Sequence, residues 1–222
     1  MLIKLIDCVP LQNSRDEFSK SQELWSEIST CDGLRAQFGG WDKKSSHAIV
    51  LALWENQSSI DLFMRQKHDI VEKKTAQRST YERCTVSLLV IEMTILAKVN
   101  NATLDVSKVG FTRMADCYLY SGGKKQFIDD QKNIWNPGMA ECQGMLGGYV
   151  ASFTKEKDRF LVVSFWDSEV SYQKYTKDQF SLLRNKVDIN SYIKELTGYQ
   201  VVLNKKWDII PNQALLQMNC KA

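Results

Sequence analysis

One of the two histidines in this sequence is placed where it could transfer a proton. His68 lies four residues after Met64 and three before Val71, which is the spacing of the buried face of a predicted helix, and Asp69 follows it directly. Because an imidazole titrates near neutral pH, His68 could act as a general base. The alternative is a structural histidine whose ring nitrogens bond the backbone or a neighbouring acid. His47 begins a predicted strand after a polar turn, and we expect it to be an exposed strand end.

Two basic residues, Lys4 and Arg113, stand 109 residues apart at equivalent positions on predicted strands. If the strand face that carries them lines a cavity between two sheets, they would present two cations to an acidic ligand such as a carboxylate or an enolate. Snorkelling at a sheet edge is equally consistent with the sequence. Strand alternation places Asp7 and Asp116 on the opposite face, where we expect them to meet helix residues.

Aromatic residues supply material for an apolar pocket that could receive a flat ligand. The sequence contains six tryptophans, nine phenylalanines and eight tyrosines, although core packing alone would account for most of them. The predicted ligand-binding residues, in addition to Lys4 and Arg113, are Trp54, Phe63, Trp135 and Trp166.

Several common signatures of cofactor chemistry are missing from the sequence. It has no phosphate-binding glycine loop, no dinucleotide-binding fingerprint, no H-E-x-x-H motif and no nucleophile elbow. ATP-, NAD- and zinc-dependent reactions are therefore not expected, and we predict no cofactor and no metal site. None of the six cysteines forms C-x-x-C or has a histidine beside it, so reduced, mostly buried thiols are favoured over disulfides or a metal site.

Charge and hydropathy argue against two classes of partner. The 29 basic and 26 acidic residues give a net charge of +3, which is too small an excess for a typical nucleic-acid-binding surface. The longest apolar run, Val86 to Met93, is strand-sized and far short of the roughly 18 residues that span a membrane. The N-terminal stretch also lacks the pattern of a signal peptide. We therefore expect a cytoplasmic protein with neither nucleic acid nor membrane as a partner.

An internal repeat organises the 222 residues. Landmarks of the first half recur in the same order in the second half, at spacings between 108 and 112 residues, which indicates a duplication. The paired landmarks are Asp7-Cys8 with Asp116-Cys117, Phe18 with Phe127, Trp25 with Trp135, Cys31 with Cys142, Gly39-Gly40 with Gly147-Gly148, and Trp54 with Trp166.

Each copy reads as strand, helix, strand, strand, helix, strand, the order of a ferredoxin-like unit. A Ser14–Glu17 capping box is predicted to start the first helix. One face of each sheet would stay exposed unless two units packed sheet against sheet, so we predict an α+β fold in which the tandem units form an intrachain dimeric α/β barrel. The predicted boundaries are 1–96 for the first repeat, 97–108 for a linker, 109–210 for the second repeat and 211–222 for a C-terminal tail.

Particular motifs resemble a known family. The aromatic-acid pairs Trp54-Glu55 and Trp166-Asp167 resemble the antibiotic-biosynthesis-monooxygenase-like superfamily, and further motifs are similar to the YdbC-like bacterial family of unknown function. Those further motifs are Gln37-Phe-Gly-Gly-Trp41, Phe63-Met64, His68-Asp69 and Trp135-Asn-Pro-Gly-Met139. The resemblance implies a fold that hosts monooxygenases, haem-degrading enzymes, decarboxylases, peroxidases and plain ligand binders. Haem-degrading relatives carry a tryptophan roughly where Phe63 stands here, so the resemblance argues against haem.

Three hypotheses for the function of the protein remain open. In the first, a cofactor-independent monooxygenase-like enzyme acts on a small acidic or aromatic molecule, with His68 as the base and Lys4 or Arg113 as its electrostatic partner. In the second, the barrel is a non-catalytic module that binds a ligand or a protein, and haem binding through His68 is a weaker third hypothesis. Phe180 stands where His68 would recur, which allows one catalytic site per chain. The chain could also form a homodimer through exposed edges.

Overall fold

Ten strands are present in the computed structural model, which describes residues 1–98, 103–211 and 216–217. Their alternating or wholly apolar sequences are typical of sheets with one or both faces covered. The strands are β1 Leu2–Pro10, β2 Leu34–Asp42, β3 Ala48–Trp54, β4 Tyr81–Ile95, β5 Thr103–Leu104, β6 Phe111–Leu119, β7 Met145–Phe153, β8 Arg159–Trp166, β9 Ile193–Leu203 and β10 Leu216–Gln217.

Four helical stretches connect these strands, and three of them contain a π-helical turn. The bounds are α1 Arg15–Glu23, continued by a 3₁₀ segment Leu24–Thr30; α2 Gln57–Phe63 and α3 Asp69–Thr75, joined by the π turn Met64–His68; α4 Lys124–Asp130 and α5 Asn136–Ala140, joined by the π turn Gln131–Trp135; and α6 Glu169–Tyr175 and α7 Ser181–Arg184, joined by the π turn Thr176–Phe180. Because π turns inside α-helices often occur at functional sites, these turns draw attention to the residues beside them.

Side-chain caps begin the second helix of each repeat. Asn56 Oδ1 accepts a hydrogen bond from the amide of Ser59, and Ser168 Oγ accepts one from the amide of Ser171. The predicted cap at Ser14 is wrong, because the Ser14 side chain makes no capping hydrogen bond.

The eight long strands are hydrogen-bonded in the order β1-β3-β2-β9-β6-β8-β7-β4 and form a closed antiparallel barrel. Both repeats follow the same register, because Lys4 pairs with Ala52 on β3 and Arg113 pairs with Ser164 on β8. Both also carry an irregularity at the start of their second strand. The predicted α+β fold, with two ferredoxin-like units in an α/β barrel, is confirmed.

The chain divides into two compact units, with the division falling inside β4 and β9. Unit 1 comprises Met1–Leu89 and residues 201–211, and unit 2 comprises Val90–Gln200 and β10. The predicted linker, 97–108, contains β5 and a 3₁₀ turn at Val106–Lys108, while residues 99–102 lie outside the described part of the chain. In the predicted tail, 211–222, only Pro211 and β10 are described, and β10 pairs with β5. The repeat boundaries stay predictions.

Aromatic clusters hold the core of each unit. In unit 1, Phe18 packs against Trp41 and Trp207 with ring centroids 5.6 and 5.7 Å apart, and Trp207 donates to Ser19 Oγ at 3.1 Å. In unit 2, Phe127 packs against Phe160 at 5.0 Å. Phe18 and Phe127 are the aligned residues of the two repeats, so the duplicated pattern positions the duplicated core.

A disulfide joins Cys8 on β1 to Cys84 on β4 within unit 1. The prediction of reduced thiols is therefore wrong for this pair, because the fold brings two cysteines 76 positions apart to a Cα separation of 4.0 Å. Cys31, Cys117 and Cys142 are free, and Cys220 lies outside the described residues.

The acids that were expected to meet helices bond strand residues or their neighbours instead. Asp7 Oδ1 lies 2.8 Å from Nδ1 of His47, whose side chain is 23% exposed. Asp116 accepts two hydrogen bonds from Arg159 on β8, at 2.9 and 2.7 Å. His47 directly precedes β3 and Arg159 begins β8, so the partners of both acids lie beside the neighbouring strand and not on a helix. In the described ranges no helix has the length and apolar character needed to cross a membrane.

Candidate functional site

A buried lysine lies between β1 and the second helical stretch of unit 1. The Lys4 residue is only 9% exposed, and its Nζ lies 3.8 Å from Sδ of Met64 and 5.1 Å from the ring centroid of Phe63. Burial lowers the pKa of Lys4 from 10.5 to about 8, because a charge loses its hydration inside the protein. Among the described residues no carboxylate contributes to that pKa. Lys4 is therefore a cation held against a thioether and an aromatic face.

A second buried donor lies on the adjacent strand. Trp54 is fully buried and stacks on Phe63, with ring centroids 5.2 Å apart and planes 29° apart. Its indole N–H has no hydrogen-bond partner within the described part of the chain. A buried N–H without an acceptor costs about 1–3 kcal/mol, so its presence requires an explanation.

The π turn of unit 1 brings a histidine to the same cluster. The His68 ring lies 5.6 Å from Phe63 and 5.7 Å from Trp25, and its side chain is 25% exposed. Its Nδ1 lies 2.8 Å from Oδ1 of Asp69. When Nδ1–H donates to that carboxylate, the lone pair of the neutral ring resides on Nε2, which is the arrangement of a general base.

A chain of hydrogen bonds through two buried glutamines holds the Trp25 indole, which contacts the His68 ring. Trp25 Nε1 donates to Oε1 of Gln77 at 2.8 Å, and Gln77 Nε2 donates to Oε1 of Gln22 at 2.9 Å. These side chains orient the indole that contacts the histidine.

The equivalent place in unit 2 is satisfied internally. Arg113, which aligns with Lys4, donates through Nε to the hydroxyl of Tyr172 at 3.2 Å and through its guanidinium to the carbonyl of Tyr199 at 3.3 Å. Trp166, which aligns with Trp54, donates to Oγ of Ser164 at 3.0 Å. Lys4 and Trp54 of unit 1 have no oxygen acceptor among the described residues, whereas the aligned Arg113 and Trp166 of unit 2 each have one.

Aromatic side chains occupy the rest of that place in unit 2. Trp166 stacks on Tyr175 at 5.2 Å, and Phe180 packs against Trp135 at 5.6 Å. Phe180 takes the position of His68, so unit 2 has a phenyl ring there in place of an imidazole. The two repeats share a scaffold, but the polar groups suited to chemistry are concentrated in unit 1.

Comparison with known proteins assigns the family. The model of a domain of unknown function, DUF4937, matches residues 2–89. The uncharacterized protein YdbC of Bacillus subtilis is 30% identical over 98 residues, which are 43% of this chain and 76% of that relative. The chain belongs to the YdbC family.

Solved structures share the fold of this YdbC-family chain. A Lactobacillus acidophilus protein described as a candidate monooxygenase aligns with a TM-score of 0.72 at 14% identity, over 98% of this chain and 99% of its own. Another candidate monooxygenase, from Fusobacterium nucleatum, has a TM-score of 0.73 at 10% identity over 91% of each chain. An anthrone oxidase-like protein has a TM-score of 0.67 at 13% identity over 91% of each chain. Identities this low show a common fold and no more.

In this YdbC-family protein the predicted site residues fall into two groups. Lys4, Trp54, Phe63 and His68 assemble in unit 1, whereas Arg113, Trp135 and Trp166 belong to unit 2. Lys4 and Arg113 contact side chains of the helices in their own units, Phe63 and Met64 for the lysine and Tyr172 for the arginine. The expected pair of cations acting together on one ligand therefore has no support in these contacts.

Sequence reasoning missed the role of Ala52. Ser164 aligns with Ala52, because each stands two residues before one of the aligned tryptophans Trp54 and Trp166. Comparing the two repeats would therefore have shown that Trp166 has a hydroxyl acceptor at this position and that Trp54 has none.

Within residues 1–98, 103–211 and 216–217, no group of three or more His, Cys, Asp or Glu side chains is arranged to hold a metal ion.

Exchanging these two residues tests the difference between the indoles. Ser164→Ala is expected to lower the free energy of unfolding by about 1–3 kcal/mol, because it leaves the buried Trp166 N–H unpaired. Ala52→Ser is expected to raise it by about 0.5–1.5 kcal/mol, because it supplies an acceptor to Trp54. Urea-induced unfolding measures both values. Equal losses in the two variants would contradict the assignment of Trp54 Nε1 as an unpaired donor.

Proposed function

We propose that unit 1 binds a small aromatic anion, such as a phenolate or an enolate, beside Lys4 and converts it as a cofactor-independent oxygenase. The main observation in favour is that, among the described residues, the buried donors Lys4 Nζ and Trp54 Nε1 have no oxygen acceptor, although the aligned donors of unit 2 have one. The anionic oxygen of a ligand would supply an acceptor to donors of this kind. A buried charge-assisted hydrogen bond of this kind is stronger than a neutral one.

The shape of the surroundings favours a flat ligand. Trp54 and Phe63 form a stacked pair beneath the lysine, and the Trp25 and His68 rings continue the aromatic surface. Met64 is 40% exposed at the edge of this cluster and marks the side from which a ligand would enter. Aromatic walls with a few placed polar groups are typical of small-molecule sites.

The proposed chemistry begins with proton removal. Nε2 of His68 accepts the proton of a phenol or of an acidic C–H, and Asp69 stabilises the imidazolium that results. Lys4 and the Trp54 N–H stabilise the anionic oxygen that develops. The electron-rich anion then reacts with molecular oxygen. For an anthrone, the methylene carbon becomes a carbonyl, one oxygen atom enters the product, and the other leaves as water with the two hydrogens removed.

The test substrate is chosen from the solved structures of similar fold, because one of them is an anthrone oxidase-like protein and two are candidate monooxygenases. The probe is 1,8-dihydroxyanthrone in air-saturated buffer, with quinone formation followed by absorbance and oxygen uptake followed by an electrode. Turnover above the rate in buffer alone supports an oxygenase. Saturable quenching of tryptophan fluorescence without oxygen uptake supports the alternative, a non-catalytic binding module, and the absence of both effects contradicts the proposal.

His68→Ala is expected to lower turnover of this probe at least 100-fold while leaving the protein folded and still able to bind it. His47→Gln is the matched control, because His47 makes the same 2.8 Å contact with a carboxylate in unit 1 but does not contact the aromatic cluster. Unchanged turnover in His68→Ala, or an equal loss in His47→Gln, would remove His68 from the mechanism.

A cytoplasmic location and assembly into a homodimer stay predictions.

A further inference from the structure

The environment of Lys4 suits a second kind of reaction, one that uses its amine rather than its charge. We propose that Lys4 is a nucleophile that forms an imine with a small aromatic aldehyde or ketone. This activity goes beyond the proposed oxygenase, because the lysine bonds covalently to the ligand and molecular oxygen takes no part.

The contacts of Lys4 are those of an amine that can lose its proton. Its Nζ lies 3.8 Å from Sδ of Met64 and 5.1 Å from the centroid of the Phe63 ring, and no carboxylate in the described part of the chain pairs with it. The ring face attracts an ammonium ion, but more weakly than a carboxylate would, and burial outweighs that attraction. With a pKa lowered to about 8, a substantial fraction of Lys4 is the neutral amine at mildly alkaline pH. A lysine desolvated in an apolar pocket is activated for attack on a carbonyl carbon.

Groups beside Lys4 suit the remaining steps. The Nζ lone pair attacks the carbonyl carbon, a C–N bond forms, and the π electrons move to oxygen. A proton passes from nitrogen to that oxygen, a second proton from His68 or solvent converts the hydroxyl into water, and the C–O bond then breaks with loss of that water to leave a protonated imine. The unpaired Trp54 N–H is a donor for the carbonyl oxygen, and the His68 imidazole can relay protons in these transfers. No atom is oxidised or reduced in this sequence.

Two basic residues of unit 2, Arg113 and Lys124, serve as comparisons for the reactivity of Lys4. Arg113 aligns with Lys4 but carries a guanidinium, which does not lose its proton in proteins. Lys124 also lies over an aromatic ring, 5.4 Å from Phe160, but it is 3.6 Å from Glu92 and its side chain is 53% exposed. Lys124 thus keeps the neighbouring ring and adds the acid and the hydration that Lys4 lacks.

The experiment traps the imine by reduction. The full chain is incubated at pH 8 with 2-naphthaldehyde and sodium cyanoborohydride, and the modified residues are identified by peptide mass spectrometry. Lys4 is expected to be labelled at least tenfold faster than Lys124. Lys4→Arg is expected to lose the fast label, and Lys124→Arg to keep it. Below pH 8 the rate at Lys4 is expected to fall towards tenfold per pH unit, as the neutral amine is depleted.

Either of two results would overturn the imine proposal. One is labelling that follows the exposure of the lysines and spares Lys4, and the other is a fast label that persists in Lys4→Arg. Both results leave the oxygenase proposal intact if 1,8-dihydroxyanthrone is still turned over. Conversely, fast labelling of Lys4 in a protein that neither binds nor oxidises the anthrone would support the imine and contradict the oxygenase.

Discussion

Reduction of the Cys8–Cys84 disulfide is expected to lower the free energy of unfolding by about 4 kcal/mol. The bond closes a long loop, with a sequence separation of 76, and the loss of loop-closure entropy in the unfolded chain grows with loop length. For a chain of this size the thermal midpoint should fall by roughly 10 °C. Thermal unfolding with and without dithiothreitol measures the effect.

The double variant Cys8→Ser/Cys84→Ser is the control for this prediction. It should unfold at the temperature of the reduced wild type and should not respond to dithiothreitol. Alkylation of the denatured, unreduced wild type should modify two fewer thiols than the six cysteines in the sequence. Modification of all six would show that the bond is absent in solution.

Lys4→Met is expected to stabilise the protein at pH 7 while abolishing binding of 1,8-dihydroxyanthrone. Burial lowers the pKa of Lys4 from 10.5 to about 8, which corresponds to roughly 3 kcal/mol of cost whenever the lysine is charged in both states. Methionine removes that charge and keeps a flexible apolar side chain beside Met64 and Phe63. A gain of about 1–3 kcal/mol in the free energy of unfolding is therefore expected, with a loss of function.

The pH dependence of this gain follows from the direction of the pKa change. Below pH 8 Lys4 is protonated in the folded and unfolded states, so the full cost is present. Between about pH 8 and 10.5 the unfolded chain binds the extra proton, and wild-type stability rises with pH relative to the variant. The difference between the two proteins should shrink towards zero near pH 10.5. Lys124→Met, at an exposed pair, should change stability by less than about 1 kcal/mol, and a pH-independent difference in Lys4→Met would contradict the assigned pKa.

The internal repeat allowed the fold to be predicted from the sequence. The aligned landmarks predicted two ferredoxin-like units, and the register of Lys4 with Ala52 and of Arg113 with Ser164 follows the same alignment. Alternation along a strand divides residues into two faces, but it does not say which face a helix covers. For this reason the sequence predicts that Lys4 and Asp7 lie on opposite faces of β1, but it assigns each of them the wrong partners. Lys4 contacts helix residues and not a cavity between sheets, and Asp7 contacts His47 and not a helix.

The contacts that could not be predicted join distant parts of the chain. Cys8 meets Cys84 through the arrangement of two strands, and no local spacing of cysteines signals it. His68 was placed by α-helical spacing, with Met64 as its neighbour on the buried face. The π turn instead brings His68 against Phe63, five residues earlier, and leaves Met64 exposed. Residue pattern alone does not distinguish an α turn from a π turn.

The π turns differ in how far the two copies share them. Between Phe18 and Trp25 there are seven steps, whereas between Phe127 and Trp135 there are eight, and the π turn Gln131–Trp135 lies inside the longer interval. That turn accommodates the one-residue difference between the copies. The π turns Met64–His68 and Thr176–Phe180 occupy aligned positions without any change in spacing. The two copies therefore wind this helix in the same way, and the same turn presents His68 in one copy and Phe180 in the other.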